Sequence, residues 1–192
     1  MLTHNDLEVH KFKSPTDCKD FRCEKEEYAS FLKNEDEALK LQVGKTSVTW
    51  LFKYKGQVIG YVTLAMGSLP RKLLPESEKD SHRFPKIPCL LLGQMARHRD
   101  YYGQMIGTIM NDWVFQKANG LAREVGCRFV IVDAEKDKVD HYVRYYGYTV
   151  VPDDEADEDR KTKTMYFDLR DEEPTETGEE GIPGSSENPD KR

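Results

Sequence analysis

Three consecutive segments in the middle of the chain narrow the fold most. Residues 87–95 are continuously apolar apart from Gly93 and Gln94, the pattern of a strand buried on both faces. Behind them Ile106, Ile109, Met110, Trp113, Val114, Ala118, Leu121, Ala122 and Val125 recur at helical spacing, and Gly126 stands as the stop signal of one long amphipathic helix. Residues 129–132 then form a second buried strand.

The alternation continues on either side. Residues 7–12 alternate weakly, as a first strand. Residues 24–42 place Tyr28, Phe31, Leu32, Ala38 and Leu39 mostly at helical spacing, with Gly44 as the stop, so one helix is expected there. Residues 47–54 and 58–66 are rich in β-branched and aromatic side chains and flank Lys55-Gly56, the layout of a hairpin. A short aromatic helix is expected over 138–146, and strands over 148–151 and 165–169. The fold class is α/β, mixed α+β, with a mixed sheet covered by helices.

At 192 residues and 38% apolar content the chain can bury one core, and it is too short for two ordinary domains. One domain over residues 1–170 is expected. Residues 70–86 form a polar, Pro-containing insertion that belongs at the surface, and residues 153–163 an acidic loop whose like charges repel one another in any packed element. Residues 171–192 are rich in Pro, Glu, Gly and Ser with Ile182 their one large aliphatic, so a disordered acidic tail is expected.

The net charge of −6 is unevenly spread: residues 1–152 carry 23 Lys and Arg against 20 Asp and Glu, net +3, and residues 153–192 carry 6 against 15, net −9. An acidic total is therefore compatible with a polyanionic substrate or nucleotide bound by the body of the chain. No stretch approaches the roughly 20 apolar residues that span a bilayer, and the first residues lack the layout of a secretory signal, so a cytoplasmic location without membrane contact is expected. Cys18, Cys23, Cys89 and Cys127 form no C-x-x-C pair and lie near no histidine at ligand spacing, so neither a metal site nor a disulfide framework is indicated. Cys89 and Cys127 flank apolar runs and are expected to pack in the core.

Chemistry concentrates in the loop between the apolar strand and the long helix. A loop entering a helix exposes unpaired backbone N–H groups at the positive end of the helix dipole, which suits a pyrophosphate, and glycines there let the backbone come close. Leu92-Gly93-Gln94-Met95-Ala96, six linking residues, Gly103, three residues, Gly107 and a long helix are similar to the cofactor-binding signature of the GNAT superfamily of N-acetyltransferases, whose loop reads Gln/Arg-x-x-Gly-x-Gly/Ala. The resemblance spans residues 21–169 and takes in Phe21-Arg22-Cys23, Gly60-Tyr61-Val62-Thr63-Leu64, Val132-Asp133-Ala134 and Gly147-Tyr148. Its layout is similar to the toxin-like branch, whose best-known members acetylate aminoacyl-tRNA. Tyr102 stands where Gln or Arg is usual and Met105 where the middle glycine is usual. A Met105 already in the first helical turn has a negative φ, at which a side chain costs little.

The resemblance implies a GNAT-like domain with a twisted mixed sheet of about six to seven strands, helices on both faces, and two central strands splayed into an acyl-CoA cleft. It implies acetyl-CoA as co-substrate, its pantetheine and thioester carbonyl met by backbone groups of Met95, Ala96 and Arg97, and its diphosphate by amides from Tyr102 through Gly103, Gln104, Met105, Ile106 and Gly107 to Thr108. Many members use a tyrosine to protonate the leaving thiolate. Counting forward from Val132-Asp133-Ala134 the slot falls on Tyr142, with Tyr145 and Tyr146 as alternates; counting back from Gly147-Tyr148 it falls on Val143. Asp133 or Glu135 stands where a general base fits, or serves simply as a strand-end turn acid.

The function implied is N-acetyl transfer to a primary amine by direct attack in a ternary complex, the acceptor being a protein amine, a small amine or aminoacyl-tRNA. The alternative is a non-catalytic acyl-CoA-sensing or protein-interaction module on the same fold. Exposed sheet edges leave room for a homodimer.

Overall fold

The structure, a computed structural model, describes residues 1–80, 82–152 and 160–172. The expected tail from residue 173 onward and residues 153–159 of the expected acidic loop lie outside these residues. The elements in chain order are β1 (Glu8–Lys11), α1 (Glu26–Lys33), α2 (Lys40–Val43), β2 (Val48–Tyr54), β3 (Gln57–Pro70), α3 (Glu76–Lys79), β4 (Lys86–Arg97), α4 (Ile106–Glu124), β5 (Phe129–Glu135), α5 (Val139–Tyr146), β6 (Thr149–Val150) and β7 (Thr162–Asp168). They build one seven-stranded sheet in the order β1-β2-β3-β4-β5-β7-β6.

All neighbouring strands run antiparallel except β4 and β5, which are parallel. A parallel pair needs a crossover, and α4 supplies it, carrying the chain from the end of β4 back to the start of β5. The mixed sheet with helices is thus the fold class expected. The β2–β3 hairpin turns at Lys55 (φ 48°) and Gly56 (φ 80°), the paired left-handed conformation that lets a two-residue turn follow the strand twist.

Two expectations are corrected. The single helix over 24–42 is broken: α1 stops at Asn34, whose backbone is extended (φ −88°, ψ 125°) and whose side chain accepts the Asp36 N–H at 3.0 Å. A wide π-helical turn over Glu35–Leu39 then leads into α2. An asparagine side chain competes with the helix for backbone N–H groups, and apolar periodicity does not register that competition. The hairpin strand expected to end at residue 66 runs on to Pro70 and pairs it with Lys86, so the connection between β3 and β4 is residues 71–85.

Side chains pack on both faces of the sheet. On one face α4 and α5 cover Phe52, Ile59, Val62, Leu90, Val130 and Met165. Gly60 permits close approach there, since a Cβ at that position meets the Met110 sulfur at 2.6 Å, and Trp113 lies 5.2 Å from Trp50 and 5.5 Å from Phe52, ring centre to ring centre. On the other face α1 and the segment before it bring Phe21 and Phe31 onto Tyr61 at 5.6 and 6.0 Å. Cys89 and Cys127 are buried as expected, and burial pushes the Cys89 thiol up to about 12. No helix among the described residues is long and apolar enough to cross a membrane.

Candidate functional site

The sheet opens at its centre. β4 pairs with β3 along its whole length, from Lys86 to Arg97, but with β5 only from Cys89↔Phe129 to Leu92↔Val132. The register against β3 slips between Thr63 and Leu64, which leaves Gly93 as one extra residue in β4, and it is there that β4 parts from β5. A bulge bends its strand and ends pairing locally. The result is a cavity of about 510 Å³ lined by residues 92–97 of β4 and 132–135 of β5.

One end of the cavity meets the N-terminus of α4. Its first-turn amides have no partner within the helix, and the helix dipole makes this end positive. His98 builds the approach to it: it is 2% exposed, its Nε2 lies 3.2 Å from the Asp20 carbonyl, and its Nδ1 accepts the Asp100 N–H, which caps the 3₁₀ turn Arg99–Tyr101. The imidazole is thus committed to the loop. Gly103 follows with φ +76°.

Met105 corrects the expectation for the loop. It is the N-cap of α4 with φ 58° and ψ 20°, left-handed rather than helical, and the helix begins one residue later at Ile106. A side chain at such a φ crowds the backbone by about 1–2 kcal/mol, which is the physical reason a glycine is usual there.

Gly107 has a different reason to be small. A Cβ built on it lies 2.4 Å from the Tyr146 hydroxyl, so the bare backbone is what admits that phenol to the helix end. The hydroxyl lies 3.1 Å from His141 Nε2. Burial raises Tyr146 to about 12, and the Arg97 cation pulls the other way. Burial, then the cations of Lys138 and Arg97, hold His141 below its ordinary value. Arg97, Lys138 and His141 therefore share this end of the cavity with the α4 dipole, an arrangement that favours an anion.

Of the residues expected to hold the coenzyme, Met95, Ala96, Arg97, Tyr102 and Gly107 line the cavity. Gly103, Gln104, Met105, Ile106 and Thr108 do not; they form the loop and first turn between and beside those that do, and Ile106 turns its side chain into the core at 1% exposure. Tyr102 is 78% exposed, with the Arg97 guanidinium 4.5 Å above its ring.

The tyrosines separate by their place on α5. Lys138, His141, Tyr142 and Tyr146 line the cavity, a helical repeat of three and four residues. Val143 and Tyr145 do not, and they are 44% and 68% exposed. Tyr142 packs edge-on against Tyr146 and Tyr148 at 5.4 Å each, and burial pushes its phenol above the ordinary tyrosine range. A phenol so placed keeps its proton throughout the neutral range and faces the cavity.

At the other end, β5 and the start of α1 meet. Lys25 Nζ donates to Glu135 Oε2 at 2.5 Å and the Tyr28 hydroxyl donates to Oε1 at 3.1 Å. Asp133 also lines the cavity but is exposed and accepts from the Thr164 hydroxyl at 2.7 Å. Buried Tyr61 reaches both the Tyr28 carbonyl, at 2.9 Å, and the Gln94 side chain, at 2.8 Å, and so ties α1 to the bulge. Glu24, Lys25, Tyr28, Asp137, Lys138 and His141 also line the cavity, and the sequence reading assigned none of them to the site.

No protein-family model and no curated protein sequence matches the chain. Solved structures do. AtaT complexed with acetyl-methionyl-tRNAfMet superposes with a TM-score of 0.75 at 20% identity, over 86% of this chain and 96% of that one. A tyrosine-to-phenylalanine mutant of KacT follows at 0.74 and 18%, over 86% and 96%, and a protein described as a bacterial toxin at 0.70 and 14%, over 86% and 92%. AtaTR bound with AcCoA superposes at 0.67 and 20%, over 87% and 96%. At these identities the likeness is one of fold: the chain has the GNAT-like fold of AtaT and KacT.

Proposed function

We propose that the chain is an acetyltransferase that moves the acetyl group of acetyl-CoA onto a primary amine by direct attack in a ternary complex. The observation that carries this is the parting of β4 and β5 after Leu92↔Val132, which opens a cavity running to the α4 N-terminus. The diphosphate lies against the amides from Tyr102 to Thr108 beside Arg97. The pantetheine passes along Met95, Ala96 and Arg97, whose backbone polarises the thioester carbonyl. Tyr142 protonates the departing sulfur, with Tyr146 and Tyr145 as the alternates, and Glu135 takes the proton of the incoming ammonium. Holding amine and thioester together supplies much of the acceleration.

The fold neighbours support the donor and point to one acceptor, because AtaT has been solved with acetyl-CoA and with acetyl-methionyl-tRNAfMet. Aminoacyl-tRNA therefore joins protein and small amines in the acceptor panel. The test is calorimetric binding of acetyl-CoA together with thiol release in the presence of that panel. Binding with turnover on one acceptor class is the expected result, and absence of binding refutes the assignment. The strained Met105 favours a second reading, a non-catalytic acyl-CoA sensor, which predicts tight binding with no turnover on any acceptor.

A further inference from the structure

Lys25 is the N-cap residue of α1, with extended backbone (φ −109°, ψ 121°), and its side chain crosses to β5 to reach Glu135. The strand register locates that contact. β4 and β5 last pair at Leu92↔Val132, and three residues further along each strand stand Met95 and Glu135, both lining the cavity; the extra residue at Gly93 brings Ala96 to the same level. The Lys25 ammonium is thus held across the opening from the backbone stretch to which the proposed function assigns the thioester carbonyl. Its side chain is 42% exposed, so it is not sealed in the core. Lys138, 43% exposed and 3.6 Å from Asp137, also lines the cavity, but it belongs with His141 to the end that meets α4.

A primary amine tethered beside an activated acyl group needs no encounter step, and its bonded carboxylate is already in place to take a proton. We propose that Lys25 is an acceptor of the protein's own acetyl transfer, a self-acetylation site. Glu135 takes one proton from Lys25 Nζ, and the freed lone pair forms the C–N bond at the thioester carbonyl. The C–S bond breaks, and the sulfur leaves with its electron pair and receives a proton from Tyr142. The second ammonium proton leaves with collapse of the adduct and restores the tyrosine. The products are CoA thiol, N-acetyl-lysine and a proton passed from Glu135 to solvent. The modified side chain has lost its charge, so the ion pair that joins α1 to β5 is lost, and Glu135 keeps only the Tyr28 bond and is open to an incoming ammonium.

The inference rests on the proposed donor, and the experiment separates the two. The full chain is incubated with acetyl-CoA and followed by intact mass and peptide mapping, with calorimetric binding of acetyl-CoA in parallel. Expected are one acetyl group per chain, located at Lys25, a first-order rate constant that rises with pH and is independent of protein concentration, and no incorporation in Lys25→Arg, which keeps the charge. Binding of acetyl-CoA with Lys25 unmodified overturns self-acetylation and leaves the donor standing. Label spread evenly over surface lysines, or a fraction modified per unit time that rises with protein concentration, overturns it as well. Failure to bind acetyl-CoA removes the proposed function and this inference with it. The mapping on the unmutated chain decides the matter even where Lys25→Arg does not fold.

Discussion

Gly107→Ala tests the contact that brings α5 to the mouth of α4. The added Cβ lies 2.4 Å from the Tyr146 hydroxyl, whereas ordinary contact begins at 3.4 Å, so the phenol must retreat by about 1 Å. It has little room, being 7% exposed and held between the rings of His141 and Tyr142, at 5.0 and 5.4 Å. Overpacking of this kind costs about 1–3 kcal/mol, partly offset by up to ~1 kcal/mol because alanine suits a helix better than glycine. Tyr146→Phe removes the clashing oxygen and leaves the ring carbon at 3.7 Å, an ordinary contact. It also gives up the bond to His141, about 1 kcal/mol. A double-mutant cycle cancels both the propensity and the lost bond, and the coupling left should be about 1–3 kcal/mol in favour of the pair. Urea denaturation of the four proteins measures it. Additivity within ~0.5 kcal/mol would falsify the contact.

Three further outcomes are expected. Glycine and alanine at position 105 remove the same atoms beyond Cβ, so their stabilities differ by the cost of the left-handed φ, about 1–2 kcal/mol, less the extra chain entropy glycine loses, about 0.5–1 kcal/mol: Met105→Gly should exceed Met105→Ala by roughly 0.5–1 kcal/mol in thermal or urea unfolding, and the reverse order would place residue 105 in a right-handed turn. Tyr142→Phe should lower kcat by about 100- to 10,000-fold with acetyl-CoA affinity unchanged, while Tyr145→Phe changes neither, and equal losses in steady-state assays would remove Tyr142 as the acid. Because burial raises that phenol from 10.0, the decline in rate with loss of its proton should begin only above pH 10. Asp168→Ala leaves the Arg128 guanidinium, 15% exposed, with Glu78 at 3.9 Å in place of its two-pronged carboxylate partner; a loss of about 3 kcal/mol is expected, and one below about 1 kcal/mol would mean that solvent screens the pair.

The strand, helix and strand over residues 87–132 were legible because each is fixed by a periodicity that a window of ten or so residues contains, and the β2–β3 hairpin because Lys55-Gly56 is a local turn signal. The break at Asn34 was hidden, since the same apolar spacing serves one helix or two. The φ of Met105 is a property of a whole loop, which His98 anchors through Asp20, seventy-eight residues away along the chain. Counting residues along α5 gave two registers, Tyr142 and Val143, because the face a short helix turns to a cavity is set by what it docks against; Tyr146 seated on Gly107 fixes it and leaves Val143 outside. Lys25 and Tyr28 meet Glu135 across separations of 110 and 107 residues. No local pattern can carry such a pairing. A site built where strands part is therefore readable in sequence on the side that carries a motif, here the β4 end and the loop into α4. The opposite side of the cavity, where Lys25, Tyr28 and Glu135 meet, is assembled from distant segments and becomes visible only once the sheet has brought them together.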